Sequence, residues 1–208
     1  MNTLNKEKLH IAIVILADAP NPNLGPAHYN LGWGNSTVLG HTIKEVVKTQ
    51  INDLYVVLGA DYEDVFTRHK HFPVQFIKNS NWDQTQSLDL KWVVSQMNLF
   101  ELDGVLFLHS MQPELDYHFI KELIQSFQDH PKPVLSTQYP NGLGLPALLN
   151  MDLVSELKQG NITNWSEIFS GMDKNQHSFT SDQELRYLED LPSYLKRHND
   201  WFGEVNPI

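Results

Sequence analysis

Three features of the sequence predict an α/β fold of three layers, with helices on both faces of a doubly wound, mainly parallel sheet. Short apolar, β-branched runs alternate with amphipathic helical patterns. The connections between them are short. The first run, Ile11 to Leu16, is apolar at every position, as a strand buried on both faces must be.

The elements follow in order. After the first strand, Pro20, Pro22, Gly25 and Pro26 forbid regular structure in a loop from Ala17 to Asn35. Ser36 is placed to cap a helix whose apolar stripe is Val38, Leu39, Ile43, Val46 and Val47. Leu54 to Leu58 reads as a second buried strand, closed by the turn Gly59-Ala60 and a short helix from Tyr62 to His69. Val74 to Ile77 is a third strand. A helix from Gln84 to Met97 follows, with Leu90, Val93, Val94 and Met97 inward. Val105 to Leu108 is a fourth strand, and Asp116 caps a helix that turns Phe119, Ile120, Leu123, Ile124 and Phe127 inward. Val134 to Ser136 and Pro146 to Leu149 read as short strands. Short helices are expected at Asp152 to Leu157 and Thr163 to Phe169, and after a Ser181-x-x-Glu184 capping box. No repeat or linker divides the chain, so residues 1–208 form one domain.

Composition narrows the function classes. Fifteen basic against twenty-five acidic residues give a formal charge of −10, which argues against nucleic acid or an anionic membrane as partner. No apolar run is long enough to span a bilayer, and MNTLNKEKLH lacks a signal-peptide core. Zero cysteine removes disulfides, thiolate metal sites and thiol catalysis. A cytoplasmic protein is the expectation. In an open α/β sheet, ligands bind beyond the carboxyl ends of the strands, so the loop from Ala17 to Asn35 is where a site is expected.

That loop resembles the signature of the molybdopterin cytidylyl- and guanylyltransferases, the MobA-like NTP transferase family. The family runs Leu-Ala-Ala-Gly, three residues, Arg-Met-Gly, two residues, Lys. Laid on without a gap, Leu16, Ala17, Leu24, Gly25, Leu31, Gly34 and Leu39 match or nearly match. Val56 to Val65 resembles the family's second strand and Gly-Ala turn. Asn79, Trp82 and Leu90 sit like its Asn-Pro-x-Trp segment, and Gln112-Pro113 resembles its Asp-Gln-Pro. Gly144-x-Pro146 resembles Gly-His-Pro, and Phe179 to Leu185 stands where the family has Asp-Ile-Asp-Thr-Pro-Glu-Asp-Leu. The resemblance implies the nucleotide-diphospho-sugar transferase-like nucleotidyltransferase fold, with CTP or GTP and Mg²⁺ as possible cofactors and a nucleotide or pterin as small-molecule partner.

The polar residues of the signature differ. The family's Gly falls on Ala19, its Arg on Asn23 and its Lys on His28. Its carboxylate before Gln-Pro falls on Met111, or on Ser110 if the turn is longer, and its last metal Asp on Thr180. The His of Gly-His-Pro is Leu145, and Thr85-Gln86-Ser87 carries no Gly. Nucleotidyl transfer needs backbone donors close to phosphate, fixed cations over the triphosphate and carboxylates on Mg²⁺. Pro20 and Pro22 remove two donors, Asn23 has no charge, and Asp18 repels phosphate unless a cation sits between them.

The nucleotide-binding positions implied by resemblance are Ala17, Asp18, Ala19, Asn23, Gly25, His28, Gly59, Ser87 and Gly144. His28 and Asp18 are the catalytic candidates, and Glu114 and Asp182 the carboxylates nearest the vacated metal positions. His28, Asn23, Asp18, Ser110, Met111, Gly144 and Thr180 are expected to converge on one cleft. A divergent member with a retained pocket and lost or weak transfer is the leading expectation. An active enzyme with substituted residues, or a partner-binding scaffold with its pocket plugged by Tyr29, Met111 and Leu145, are the alternatives. His69 and His71 read as surface histidines rather than metal ligands, and His109-Ser110 as a polar pair ending a strand.

Overall fold

The structure, a computed structural model, describes residues 9–25, 27–83, 88–170, 172–173 and 177–204. Its centre is β1 (Ile11–Ala17), a strand with every residue buried. β1 lies between two parallel neighbours, β4 (Leu54–Leu58) and β6 (Gly104–His109). Beyond β4 lies β5 (Gln75–Lys78). Beyond β6 come β8 (Gly142–Asn150), β7 (Val134–Tyr139) and β9 (Ser178–Phe179), giving the order β5-β4-β1-β6-β8-β7-β9. β8 alone runs against its neighbours. A two-stranded ribbon, β2 (Gly32–Trp33) and β3 (Ser36–Thr37), stands apart from this sheet.

Side chains of β1 alternate between two cores, as the period of a strand requires. Ile11, Ile13, Ile15 and Ala17 join a cluster with Leu39, Ile43, Phe119 and Leu123. Those partners come from α1 (Val38–Val47) and α4 (Tyr117–Asp129). Val65 of α2 (Tyr62–His69) packs on the same face. Ala12, Val14 and Leu16 join Leu90, Val93, Leu153 and Val154 on the other face. That side is covered by α3 (Leu90–Ser95), α5 (Met151–Gln159) and α6 (Trp165–Phe169). Burying each such aliphatic side chain contributes roughly 1.5–3 kcal/mol. The result is the expected three-layer α/β/α arrangement, with its switch point between β1 and β6.

Several element ends differ from the sequence expectation for local reasons. Ser36 pairs with Trp33 in the ribbon, so the cap of α1 passes to Thr37, whose Oγ1 accepts from the Gly40 amide at 2.9 Å. Asp89 caps α3 through the Trp92 amide at 3.1 Å, which starts that helix at Leu90; the expected start at Gln84 lies outside the described residues. The β7 and β8 strands are longer than expected and form a hairpin whose register shifts after Ser136, where Leu145 and Pro146 bulge.

The expected helix after Ser181 does not form. Ser181 Oγ accepts from the Gln183 amide at 3.2 Å, a local turn, and the chain stays irregular until Asp190. There α7 (Leu191–Phe202) begins, with the Asp190 side chain accepting from the Ser193 amide at 2.8 Å and the Ser193 hydroxyl closing the box. Its Tyr194 packs into the α1 and α4 side of the core.

Candidate functional site

At the carboxyl end of β1 the chain turns sharply across β4. The Asp18 carbonyl accepts from the Ala60 amide at 3.2 Å. A Cβ on Gly59 would lie 2.3 Å from that carbonyl oxygen and 2.7 Å from Trp82 Cβ, so this close approach requires glycine. The Asp18 carboxylate is buried and receives Asn79 Nδ2 at 3.3 Å. Burial raises its pKa, against the lowering effect of Asn79. Asp18 is therefore tucked beneath the loop and held by β5's end.

The loop that follows uses its own backbone donors. The Asn23 amide donates to Asn21 Oδ1 at 3.0 Å, and the Leu24 and Gly25 amides donate to the Asn21 carbonyl at 3.1 Å. The Ala27 amide donates to Asp61 Oδ2 at 2.6 Å. The C-terminal segment anchors the same loop. Asn21 Nδ2 donates to the Glu189 carbonyl at 3.1 Å, and the Leu191 amide to the Asn23 carbonyl at 3.3 Å. The Leu188 amide donates to the Met111 carbonyl at 2.8 Å, and Tyr29 Oη to the Ala19 carbonyl at 2.7 Å.

These contacts enclose a cavity of about 390 Å³. Loop residues 19–23, His28 and Tyr29 form one wall, His109 and Met111 the floor, and residues 187–189 the opposite wall. Tyr29 and Met111 line this space without filling it. Among the described residues no Lys or Arg lines it, and Glu189 is its one acidic group. Burial lowers the pKa of His28. Burial also drops His109 to about 4, with the neighbouring His28 adding to the effect. His109 Nδ1 accepts from the Met111 amide at 3.1 Å, which places the ring proton on Nε2. Its ring meets Tyr187 edge-on, with centroids 5.2 Å apart.

Beyond Tyr187 lies a larger cavity of about 730 Å³, bordered by Gly144, Thr180 and Asp182. The seven residues expected in one cleft are thus divided. Asn23, His28 and Met111 line the smaller cavity, and Gly144 and Thr180 the larger. Ser110 is fully buried, its hydroxyl donating to the Leu16 carbonyl at 3.1 Å, and faces neither. Of the other implied positions, Ala17 is buried in the core, Ala19 faces the smaller cavity, and Gly25 holds a positive φ of 85°. Ser87 lies outside the described residues. Glu114 is engaged by Arg197 at 2.8 Å, and Asp182 is exposed at the rim.

Sequence reasoning missed Tyr187 and underrated His109. The bulged Leu145 carbonyl was equally invisible; it accepts from Tyr139 Oη at 2.5 Å and Gln112 Nε2 at 3.3 Å. The one available signal was the position of His109 at the carboxyl end of the fourth strand.

An Mg²⁺–nucleotide complex does not fit these residues as they stand. Met111 and Thr180 offer no charge, Glu114 is paired, and Asp18 is buried against Asn79. Among the described residues, no group of three His, Asp or Glu is placed to hold a metal ion.

The neutral histidines set a pH dependence. Burial lowers the pKa of His28, His41, His69 and His109. A His with a depressed folded-state pKa stays neutral while its unfolded counterpart takes a proton below about 6.5, so stability falls as pH falls. Exposed His10, raised by its bond to Asp53, works in the opposite direction, as do buried Asp18 and Glu114, whose raised pKa values favour proton uptake in the fold. The histidines are expected to dominate between pH 7 and 5. His109→Asn, whose Oδ1 still accepts from Met111, should remove about 2 kcal/mol of that loss. Urea unfolding at the two pH values measures it; equal losses in both proteins would refute the assignment.

The family model described as MobA-like NTP transferase domain matches residues 25–169. That span starts within the divergent loop, taking in His28 but not Asp18, Ala19 or Asn23, and ends before Thr180. No curated protein matches the chain. Among solved structures, Rv0371c of Mycobacterium tuberculosis H37Rv in complex with manganese is 18% identical, with a TM-score of 0.71, covering 92% of this chain and 98% of that one. A nucleotidyl transferase from Methanothermobacter thermautotroptrophicus is 17% identical, with a TM-score of 0.70 and coverage of 92% and 97%. A CMP:2-keto-3-deoxy-manno-octonic acid synthetase complexed with CTP is 14% identical, with a TM-score of 0.69 and coverage of 92% and 98%. At these identities the structural likeness carries the fold. Among the described residues no helix is long and apolar enough to cross a membrane.

Proposed function

The chain belongs to the MobA-like NTP transferase domain family, and we propose that it is a divergent member that keeps a ligand pocket while transfer of a cytidylyl or guanylyl group to molybdopterin is lost or weak. The observation that carries this reading is the cavity beneath the 19–23 loop. It is the size of a nucleoside or pterin, its histidines are neutral near pH 7, and it presents no cation to phosphate. The loop amides that a phosphate would need are turned inward onto Asn21 and Asp61. An open cavity favours a binding protein over a scaffold with a plugged pocket.

The expected ligand is therefore an uncharged heteroaromatic ring, held against the cavity lining that includes His28, His109 and Tyr187. Calorimetry with cytidine, guanosine and a pterin, against CTP and GTP with and without Mg²⁺, tests this. The ring compounds should bind at least as tightly as the triphosphates, with no gain from Mg²⁺. Triphosphates bound tenfold more tightly, or a clear Mg²⁺ dependence, would restore the active-enzyme reading, with His28, Asp18, Glu114 or Asp182 in altered roles.

A further inference from the structure

A third concavity, of about 430 Å³, lies away from both cavities above, between the β2–β3 ribbon, α1 and α2. Its lining among the described residues includes Lys44, Arg68 and His71, and neither Asp nor Glu. This is unexpected in a chain of formal charge −10. Among the described residues Lys48 pairs with Glu45, Lys78 with Glu63, Arg186 with Glu184 and Arg197 with Glu114. Lys44 and Arg68 make no ion pair among the described residues.

Their hydrogen bonds leave most of their donors free. Lys44 Nζ reaches Asn35 Oδ1 at 3.5 Å, the limit of a hydrogen bond, and Arg68 Nη1 reaches the Asn30 carbonyl at 3.3 Å. Ser36, also in the lining, has no side-chain hydrogen bond among the described residues. Below them the floor is braced. His69 Nδ1 donates to the Val65 carbonyl at 2.7 Å, so its bare Nε2 accepts from the Thr37 hydroxyl at 2.6 Å. Thr37 in turn accepts from the Gly40 amide, and a Cβ at Gly40 would come within 2.6 Å of Ser36 Oγ.

We propose that this cavity binds a small phosphate monoester, with Arg68 and Lys44 on the phosphoryl oxygens and the Ser36 hydroxyl as a further donor. A guanidinium fork, an ammonium and a hydroxyl together suit a tetrahedral dianion better than a planar carboxylate, which arginine alone would satisfy. The volume exceeds what a bare ion needs, and Phe72 in the lining offers an apolar face to the organic part. The site stands independently of the reading given above for the smaller cavity.

Calorimetry at low ionic strength with ribose 5-phosphate, inorganic phosphate and ribose tests the proposal. Ribose 5-phosphate should bind saturably and more tightly than inorganic phosphate, and ribose should not bind. Lys44→Ala and Arg68→Ala should each weaken binding by about tenfold, the size expected for a lost charge-assisted hydrogen bond. Arg68→Lys should also weaken it, because the fork is lost. Lys196→Ala, on exposed α7, should change nothing. The proposal is overturned by absent saturation, by unchanged affinity in the Lys44 and Arg68 variants, or by an equal loss in Lys196→Ala. Inorganic phosphate binding as tightly as the monoester would reduce the site to an ion site and overturn it too.

Discussion

Given CTP or GTP, Mg²⁺ and molybdopterin, the protein is expected to release pyrophosphate far below the roughly 1 s⁻¹ of an ordinary enzyme. The reason is electrostatic. A triphosphate carries several negative charges, and catalysis of its attack consists mostly of positioning and of cancelling growing charge. The cavity offers two neutral imidazoles and the acidic Glu189, and Asp18 is buried beneath its loop. Losing one preorganised donor costs about 10²–10³ in rate, and here backbone donors, cations and metal carboxylates are missing together, although such effects do not simply add. Asn23→Arg, at an exposed position on the cavity wall, should tighten CTP or GTP relative to the nucleosides by roughly tenfold, one charge-assisted hydrogen bond. Turnover should not follow, because the triphosphate still lacks metal ligands. Supplying carboxylates by Met111→Asp and Thr180→Asp would meet a further obstacle, since the two residues line different cavities that share only the border of residues such as Tyr187. Turnover of the unmodified protein near 1 s⁻¹ would end the loss-of-activity reading.

The sheet was legible because its strands are apolar at every position, a pattern that burial on both faces dictates. β1, β4 and β6 were each read within a residue of their ends. Side-chain caps decided where reading failed. Ser36 and Thr37 are chemically near-equivalent caps, and only the pairing of Ser36 with Trp33 selects Thr37. Ser181-x-x-Glu184 fits the capping pattern, but Leu185 and Leu188 are drawn into the core, and the chain between them is held by the Met111 carbonyl rather than by a helix. Asp190-x-x-Ser193 reverses the usual residue types of the box and went unread, so α7 was missed. The site was legible in outline through its loop. Its far wall was not, because Tyr187 and Glu189 arrive from the end of the chain by tertiary contacts that leave no local trace.

Those contacts make the second large prediction. Arg197→Met should destabilise the protein by about 3 kcal/mol, the cost of stranding one partner of a buried ion pair. Arg197 Nη1 lies 2.8 Å from Glu114 Oε1, and the two side chains are 16% and 14% exposed. The same nitrogen donates to the Arg186 carbonyl at 3.0 Å, so one side chain ties α7 both to the segment after β6 and to the chain that forms the cavity wall. Burial already raises the Glu114 pKa despite the attraction of Arg197, so desolvation outweighs the pair's Coulomb gain. Glu114 Oε2 is buried with no hydrogen-bond partner among the described residues. Removing Arg197 therefore leaves a mostly buried charge with only the exposed Arg186, itself paired with Glu184, as a nearby cation, while removing both charges relieves the problem. Arg197→Met with Glu114→Gln should recover most of the loss, and a double-mutant cycle by urea unfolding gives the coupling. Without Arg197 the Glu114 pKa should rise further, so the deficit of the single variant shrinks as pH falls through it. A deficit below about 1 kcal/mol, the size of an exposed pair, would show that α7 is held by Tyr194 and the loop contacts alone.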